Sequence, residues 1–251
     1  MPKPVIQIYS LCFAYPDRTP ALDNVSLEVL EGECVGLVGP NGAGKTTLLL
    51  HLNGILKGEG RIVIDGLELN TKNLREIRRK VGIVFQDPDD KLFSPTVFDD
   101  VAFGPLTMGL GQEEVASRVE NALRDADLAG IEKKAPQHLS FGQKKKASLA
   151  SILSMRPRII ALDEPTSNMD PRSRARFLKL IKSVGATKIL STHDMESVRE
   201  LCTRVIVLDS GRLVADGDAD SILSDEKLMA SHGLETPRSP QPSSPRPRNR
   251  Q

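Results

Sequence analysis

Short runs of aliphatic and β-branched residues alternate along this chain with segments whose apolar positions recur every three or four residues. The first kind predicts strands at residues 5–13, 25–30, 34–38, 61–65, 81–85, 158–164, 188–191, 205–208 and 212–215. The second predicts helices at 47–52, 74–80, 112–128, from 144 to about 155, at 172–184, and one or two short ones from 221 to about 232. Within 112–128 the buried face is well marked by Val115, Val119, Ala122, Leu123 and Ala126. Glu113 and Glu114 stand in its first turn, where the helix dipole favours acids. Strands alternating with helices predict an α/β fold with a parallel sheet. The short, turn-bounded strands at 5–13, 25–30 and 61–65 predict a small antiparallel layer beside it.

Several of the strand ends carry chemistry. After 34–38 comes Gly39-Pro40-Asn41-Gly42-Ala43-Gly44-Lys45-Thr46-Thr47. This is a glycine, four residues, then Gly-Lys-Thr, between a strand and a helix, which is the phosphate-binding loop in its required context. Glycines let successive N–H groups face one point, and the helix that follows aims its positive end at the same place. Lys45 can then reach the β- and γ-phosphates of ATP, and the Thr46 hydroxyl can ligate Mg²⁺. Tyr15 lies on a turn from which it can fold over the nucleotide and stack on adenine; packing against its own sheet is the alternative. Gln86, just past a strand, can ligate Mg²⁺ or orient water; capping a turn is the alternative. Asp163, at the tip of an apolar strand, is placed to hold Mg²⁺ through water. Glu164, one residue further on, is placed to orient and deprotonate water. His193 follows another strand, so three strand ends converge on one edge, where ligands of parallel α/β sheets bind.

Leu139-Ser140-Phe141-Gly142-Gln143 precedes the helix expected from Lys144, and its serine and glycine make a second phosphate-sized anion site. Lys144, Lys145 and Lys146 would stand at the positive end of that helix. They are read as answering a bound phosphate or, failing that, as a solvated basic face.

Composition narrows the classes. At 251 residues, with 39% hydrophobic and 27% charged positions, the chain suits one large α/β domain or a domain with a smaller subdomain. Its net charge of +1 is uneven: residues 236–251 hold four arginines and no acid, leaving 30 basic against 33 acidic groups before them. A body so balanced is not built to bind nucleic acid by charge. Cys12, Cys34 and Cys202 are scattered among apolar residues, and buried free thiols in a reducing compartment are expected. No apolar run approaches the roughly 18 residues of a membrane span, so a cytosolic chain is expected, reaching a membrane only through a partner. Residues 236–251, with five prolines, four arginines and three serines, are expected to be disordered.

Taken in this order, Gly39 to Thr47, Gln86, Leu139 to Gln143, Asp163 with Glu164, Ser167-Asn168-Met169-Asp170 and His193 make the chain resemble an ATP-binding cassette ATPase over residues 4–235. The resemblance implies a P-loop NTPase (RecA-like) core, an antiparallel β subdomain and an inserted α-helical signature subdomain at about 87–157. It implies a head-to-tail dimer in which ATP on Lys45 of one copy is covered by Ser140, Gly142 and Gln143 of the other. It makes Tyr15 the adenine-stacking aromatic, Gln86 the Q-loop glutamine, Glu164 the catalytic glutamate and His193 the switch histidine. Phe141 departs from the usual glycine of the signature, Lys146 from its frequent arginine, and Asn168 and Met169 from the usual alanine and leucine of the D-loop. Leu-Ser-Phe-Gly-Gln-Lys-Lys, with Phe85-Gln86-Asp87-Pro88-Asp89-Asp90 and Asp100-Val101-Ala102-Phe103-Gly104-Pro105, is similar to the cobalt and nickel branch of energy-coupling-factor importers. That similarity implies an ATPase peripheral to the cytoplasmic membrane face, beneath a transmembrane coupling protein and a separate membrane protein that binds the substrate. Cobalt is the foremost cargo on this reading, bound by the membrane partner and not by this chain. A nickel or vitamin importer, or a soluble non-transport ABC ATPase, is the rival reading.

Overall fold

The computed structural model describes residues 2–236. The expectation for the Pro/Arg/Ser-rich tail therefore lies, apart from Thr236, outside the described residues.

The chain opens with two long antiparallel strands, β1 (Pro4–Ala14) and β2 (Pro20–Leu30). β3 (Cys34–Val38) follows, with all five residues buried, and runs through the glycine-rich loop into α1 (Lys45–His51). β4 (Glu59–Ile64) and β5 (Leu67–Glu68) return to the first sheet and complete its order β2-β1-β4-β5. α2 (Leu74–Lys80) leads into β6 (Val81–Val84). Three helices are inserted next: α3 (Val97–Thr107), α4 (Gln112–Asp125) and α5 (Phe141–Leu153). The remainder alternates: β7 (Ile159–Asp163), α6 (Pro171–Ser183), β8 (Thr187–Ser191), α7 (Met195–Leu201), β9 (Arg204–Asp209), β10 (Arg212–Asp218), α8 (Ala219–Ser224) and α9 (Glu226–Ser231).

The second sheet has the order β10-β9-β3-β8-β7-β6, parallel throughout except for the antiparallel edge strand β10. β3, the first four residues of β7 and the middle of β9 are continuous apolar runs because both faces are covered. On one side α1 and the antiparallel sheet close over Val35, Leu37, Ala161, Ile189 and Ile206. On the other, Phe177, Ile181, Val198 and Leu223 from the helices pack on Val38, Ile160, Leu162 and Val207. A third apolar cluster belongs to α3, α4 and α5, and all five residues of the face predicted on α4 and its extension are in it. No helix among the described residues is long and apolar enough to cross a membrane.

Two helices are absent from the sequence reading. α7 is only seven residues long, too short for its period to declare itself. α3 holds Gly104 and Pro105, which argue against a helix. Pro105 cannot bond the carbonyl four residues back, and the Ser154 hydroxyl donates to that Val101 oxygen instead, at 2.7 Å. A Cβ on Gly104 would lie 2.4 Å from Met155 Cγ, so the glycine is what lets α3 approach the end of α5. α5 itself begins at Phe141, three residues before the predicted start. Ser140 is its N-cap, in a capping box with Gln143: Gln143 N–H donates to Ser140 Oγ and Ser140 N–H to Gln143 Oε1.

Candidate functional site

β3 ends on Val38 with no buried position to spare, and the loop beyond it must turn sharply under β9 and β2. Gly39 has φ +154°, and a Cβ there would stand 2.0 Å from the Leu208 carbonyl oxygen; Gly44 has φ +100°, with the Ala21 oxygen at 2.3 Å. Glycine is required at both points. Gly42 (φ +78°) meets nothing, so there the left-handed backbone alone selects glycine. The loop built in this way lines a cleft of about 820 Å³ together with Tyr15, Gln86, Asp163, Glu164 and His193. The structure thus brings Gly39 to Thr47 and all five of these predicted residues to one place. Ser140, Gly142 and Gln143 are not in its lining; they stand at the start of α5. Lining residues not foreseen are Thr19 to Ala21, Ser191, Met195 and Gly233 to Glu235. Only the tip of β8 announced itself, through its neighbour His193.

Lys45 is buried, and its ammonium donates to the carbonyls of Gly39 (2.7 Å) and Pro40 (2.9 Å). Burial pulls its pKa down, while Glu164 and Asp163 oppose the shift. Asp163 ends β7, and its Oδ2 accepts from the Thr46 hydroxyl at 2.7 Å. Burial pushes this carboxyl up against the effect of the Thr46 bond. Asp163 is paired in the sheet with Ser191; Asp163 Oδ1 and Ser191 Oγ are both buried with no partner at normal hydrogen-bond geometry, although the Ser191 hydroxyl is near enough to help hold the carboxyl down. Orphaned oxygens at adjacent strand ends, beside a threonine hydroxyl, are the hard donor set that Mg²⁺ takes with water. The residues present therefore fit that ion.

Glu164 follows in a left-handed turn (φ +41°), a conformation that costs a non-glycine residue about 1–3 kcal/mol. Its carboxylate accepts three hydrogen bonds: from the Thr192 hydroxyl (3.0 Å), the His193 backbone N–H (3.1 Å) and His193 Nδ1 (2.9 Å). The predicted base and the predicted switch histidine are thus in direct contact. Thr192, fully buried, is a second holder of the carboxylate that the sequence did not single out.

Tyr15 lines the cleft and also packs against its own sheet. Its ring is 37% exposed at the cleft, its hydroxyl shares a hydrogen bond of 2.8 Å with Thr47 Oγ1, and its edge meets Phe13 at 5.1 Å. Phe13 in turn packs against the buried His51, 4.9 Å away, whose Nδ1 bonds the Thr47 carbonyl at 2.7 Å. The tyrosine is thereby joined to α1 at both ends.

The three lysines of α5 form neither a phosphate site nor a solvated face. Lys144 pairs with Asp89 at 2.7 Å and Lys146 with Asp127 at 2.9 Å. Lys145 has no exposed surface and donates to the carbonyls of Gln86 (2.6 Å) and Glu164 (3.2 Å). Burial pushes its ammonium down to about 8, against Asp87, Glu164 and Asp163. Of the cysteines, all free, Cys34 and Cys202 are buried as expected and Cys12 is half-buried.

Residues 22–167 match the family described as ABC transporter. The chain is 47% identical over 236 residues to an energy-coupling factor transporter ATP-binding protein, EcfA, of Carboxydothermus hydrogenoformans, covering 92% of this chain and 87% of that one. Among solved structures it is similar to cbiO1 of Clostridium perfringens, described as part of the ABC transporter complex cbiONQ. The TM-score there is 0.80 at 36% identity, over 90% of this chain and 93% of that one. The dimeric, post-hydrolysis ATP-binding cassette MJ0796, bound to ADP and Pi, matches with a TM-score of 0.76 at 30% identity, over 85% and 98% of the two chains.

Proposed function

This chain belongs to the ABC transporter family of ATP-binding cassettes, and we propose that it is the ATPase subunit of an energy-coupling-factor importer whose cargo is a transition-metal ion, cobalt foremost. The activity of the family is ATP hydrolysis coupled to transport. The observation that carries the assignment of roles is the Glu164 carboxylate, held by three donors beside a glycine cradle at the tips of neighbouring strands.

Residues 4–235 form the nucleotide-binding domain on this reading, with residues about 87–157 as its helical signature subdomain. Tyr15 takes the base and Gly39 to Thr47 the phosphates, with Lys45 turning from its loop carbonyls to the β- and γ-oxygens. Thr46, Gln86 and Asp163 would hold Mg²⁺, which would supply charge neutralisation at the phosphates. Glu164 orients a water and takes its proton, and His193 keeps the carboxylate aimed. Ser140, Gly142 and Gln143 cover the nucleotide of a second copy in a head-to-tail dimer. Their place outside their own cleft supports that arrangement, as does the dimeric state described for MJ0796.

The membrane partners meet the patch beside Gln86. There Phe93 (68% exposed) and Phe103 (52%) stack edge to face at 5.3 Å, with the exposed Asp90 three residues before Phe93 in the chain. An apolar pair with an acid close by in the chain suits an apolar helix tipped with arginine. The chain is then peripheral to the cytoplasmic membrane face, and the transported metal is held by the membrane substrate-binding protein. The test is co-expression with the membrane proteins encoded beside it, followed by radiolabelled Co²⁺ uptake in vesicles. Uptake that needs ATP and is lost in Glu164→Gln is expected. Ni²⁺ or vitamin uptake in its place reassigns the cargo, and failure to co-purify with any membrane protein refutes the importer role.

A further inference from the structure

Lysine is the costliest of residues to bury, and Lys145 is among the largest fully buried side chains of the protein. A side chain in that position is retained only if its ammonium is well paired. Here the pairing is mainly with backbone, and with two separate loops at once, those that follow β6 and β7. Nζ donates to the Gln86 carbonyl at 2.6 Å and the Glu164 carbonyl at 3.2 Å, and lies 3.5 Å from the Ser167 hydroxyl. The fourth side is closed by the Phe141 ring, whose centroid is 5.6 Å away, one turn back on the same helix. Phe141 is the residue that departs from the usual signature glycine, and it is what covers the cation.

The loops so tied are those that flank the phosphate end of the cleft. Glu164 is held in a left-handed turn, and such a conformation persists only when its surroundings over-determine it. Its N–H donates to the Ser191 carbonyl at 2.8 Å, and its own carbonyl accepts from Lys145, from the Ser167 hydroxyl (2.9 Å) and from the Ser167 N–H (3.2 Å). Fixing the peptide on both sides fixes the direction in which the carboxylate leaves the backbone. The same ammonium holds Gln86, and it rides on α5, whose N-cap is Ser140.

We infer that Lys145 is a positioning residue for hydrolysis: it makes the signature helix, the Q-loop and the turn at Glu164 a single body, so that engagement of Ser140 by the second copy sets the aim of Glu164. The inference rests on the ATPase reading given above. Lys145 touches no reacting atom and acts through Glu164, so its contribution exists only while Glu164 is a base.

Lys145→Met, Glu164→Gln, their double variant and Ser167→Ala are compared by ATP Kd, melting temperature and steady-state kcat and KM. Lys145→Met is expected to keep its ATP Kd within about threefold and to lose about 10²-fold in kcat, the scale of a misplaced catalytic group. The double variant is expected to be no slower than Glu164→Gln within about threefold, because residues acting as a unit are not additive. Ser167→Ala, which removes the hydroxyl donor to the Glu164 carbonyl and leaves the Ser167 N–H in place, should show a smaller loss with the same non-additivity, and it carries the test if Lys145→Met does not fold. A parental kcat, or a loss of equal factor in both backgrounds, overturns the inference. Parental turnover in Glu164→Gln itself refutes the ATPase site instead, so the two failures are distinguishable.

Discussion

Tyr15 offers a test in which two readouts must part company. The structure places it at the cleft, 37% exposed, and gives it two contacts: a hydroxyl bonded to Thr47 Oγ1 at 2.8 Å and a ring edge-to-face with Phe13 at 5.1 Å. Removing the ring by Tyr15→Ala forfeits base stacking, worth about 1–3 kcal/mol, which raises the Kd for ATP roughly 5- to 150-fold. It also loses the aromatic edge contact, about 0.5–1.5 kcal/mol, and the hydroxyl bond, about 0.5–1.5 kcal/mol, both from fold stability. Tyr15→Phe keeps the ring and loses only the bond to Thr47. Its melting temperature should fall by about 1–6 °C for a domain of this size, with the ATP Kd near parental. Isothermal titration with a slowly hydrolysed ATP analogue, beside calorimetric melts of the ligand-free protein, measures both. If Tyr15→Phe weakens ATP as much as Tyr15→Ala, the hydroxyl is setting the pose of α1 and stacking is not the working contact. If neither variant changes affinity, Tyr15 serves the sheet alone.

Glu164→Gln should lose about 10²–10⁴-fold in turnover while still binding ATP, and should accumulate as an ATP-bound dimer visible by light scattering. Adding Ser140→Arg should dissolve that dimer without abolishing ATP binding, whereas Lys45→Ala should abolish binding; equal loss of binding in both would defeat the shared site. Gly44→Ala puts a methyl 2.3 Å from the Ala21 carbonyl oxygen at φ +100°, so it should destabilise by more than the about 1–3 kcal/mol of backbone strain alone. Gly42→Ala, which meets nothing, should cost only the left-handed penalty of about 1–2 kcal/mol; equal melting of the two would refute the close approach. Asp89 is already paired with Lys144, so Asp90→Lys should be the single reversal that abolishes co-purification with membrane subunits while sparing ATP binding in solution.

Most of the phosphate cleft was legible because its parts are local. The loop at Gly39 to Thr47 and the tips at Gln86, Asp163, Glu164 and His193 each follow an apolar strand short enough to read directly. Elements that depend on a distant partner were not legible. α3 is a helix across Pro105 only because Ser154, nearly fifty residues on, satisfies the freed carbonyl. The run Lys144 to Lys146 looks uniform, yet its middle member is buried and the outer two are bound to separate acids. Charge periodicity cannot separate them, since the distinction lies in the Gln86 and Glu164 carbonyls. The start of α5 was missed for a nearer reason: Phe141 and Gly142 argue weakly for a helix, and the capping box that outweighs them is formed by Ser140 and Gln143.

The strand order has a consequence for how the protein comes off the ribosome. β3 carries the phosphate loop, yet both of its neighbours, β8 and β9, lie near the far end of the chain. Even Gly32 and Glu33, just ahead of β3, bond Thr187 and Lys188. Synthesis from Val38 to Thr187 takes roughly 7–30 s at 5–20 residues per second, and throughout it a wholly apolar strand has no sheet to join. Until then the nascent chain can complete the antiparallel sheet, the helical insertion and the β6–β7 pair, but not the sheet around β3. Nucleotide therefore cannot help the growing chain fold, and a ribosome-stalled fragment ending before β8 should bind chaperones and not ATP.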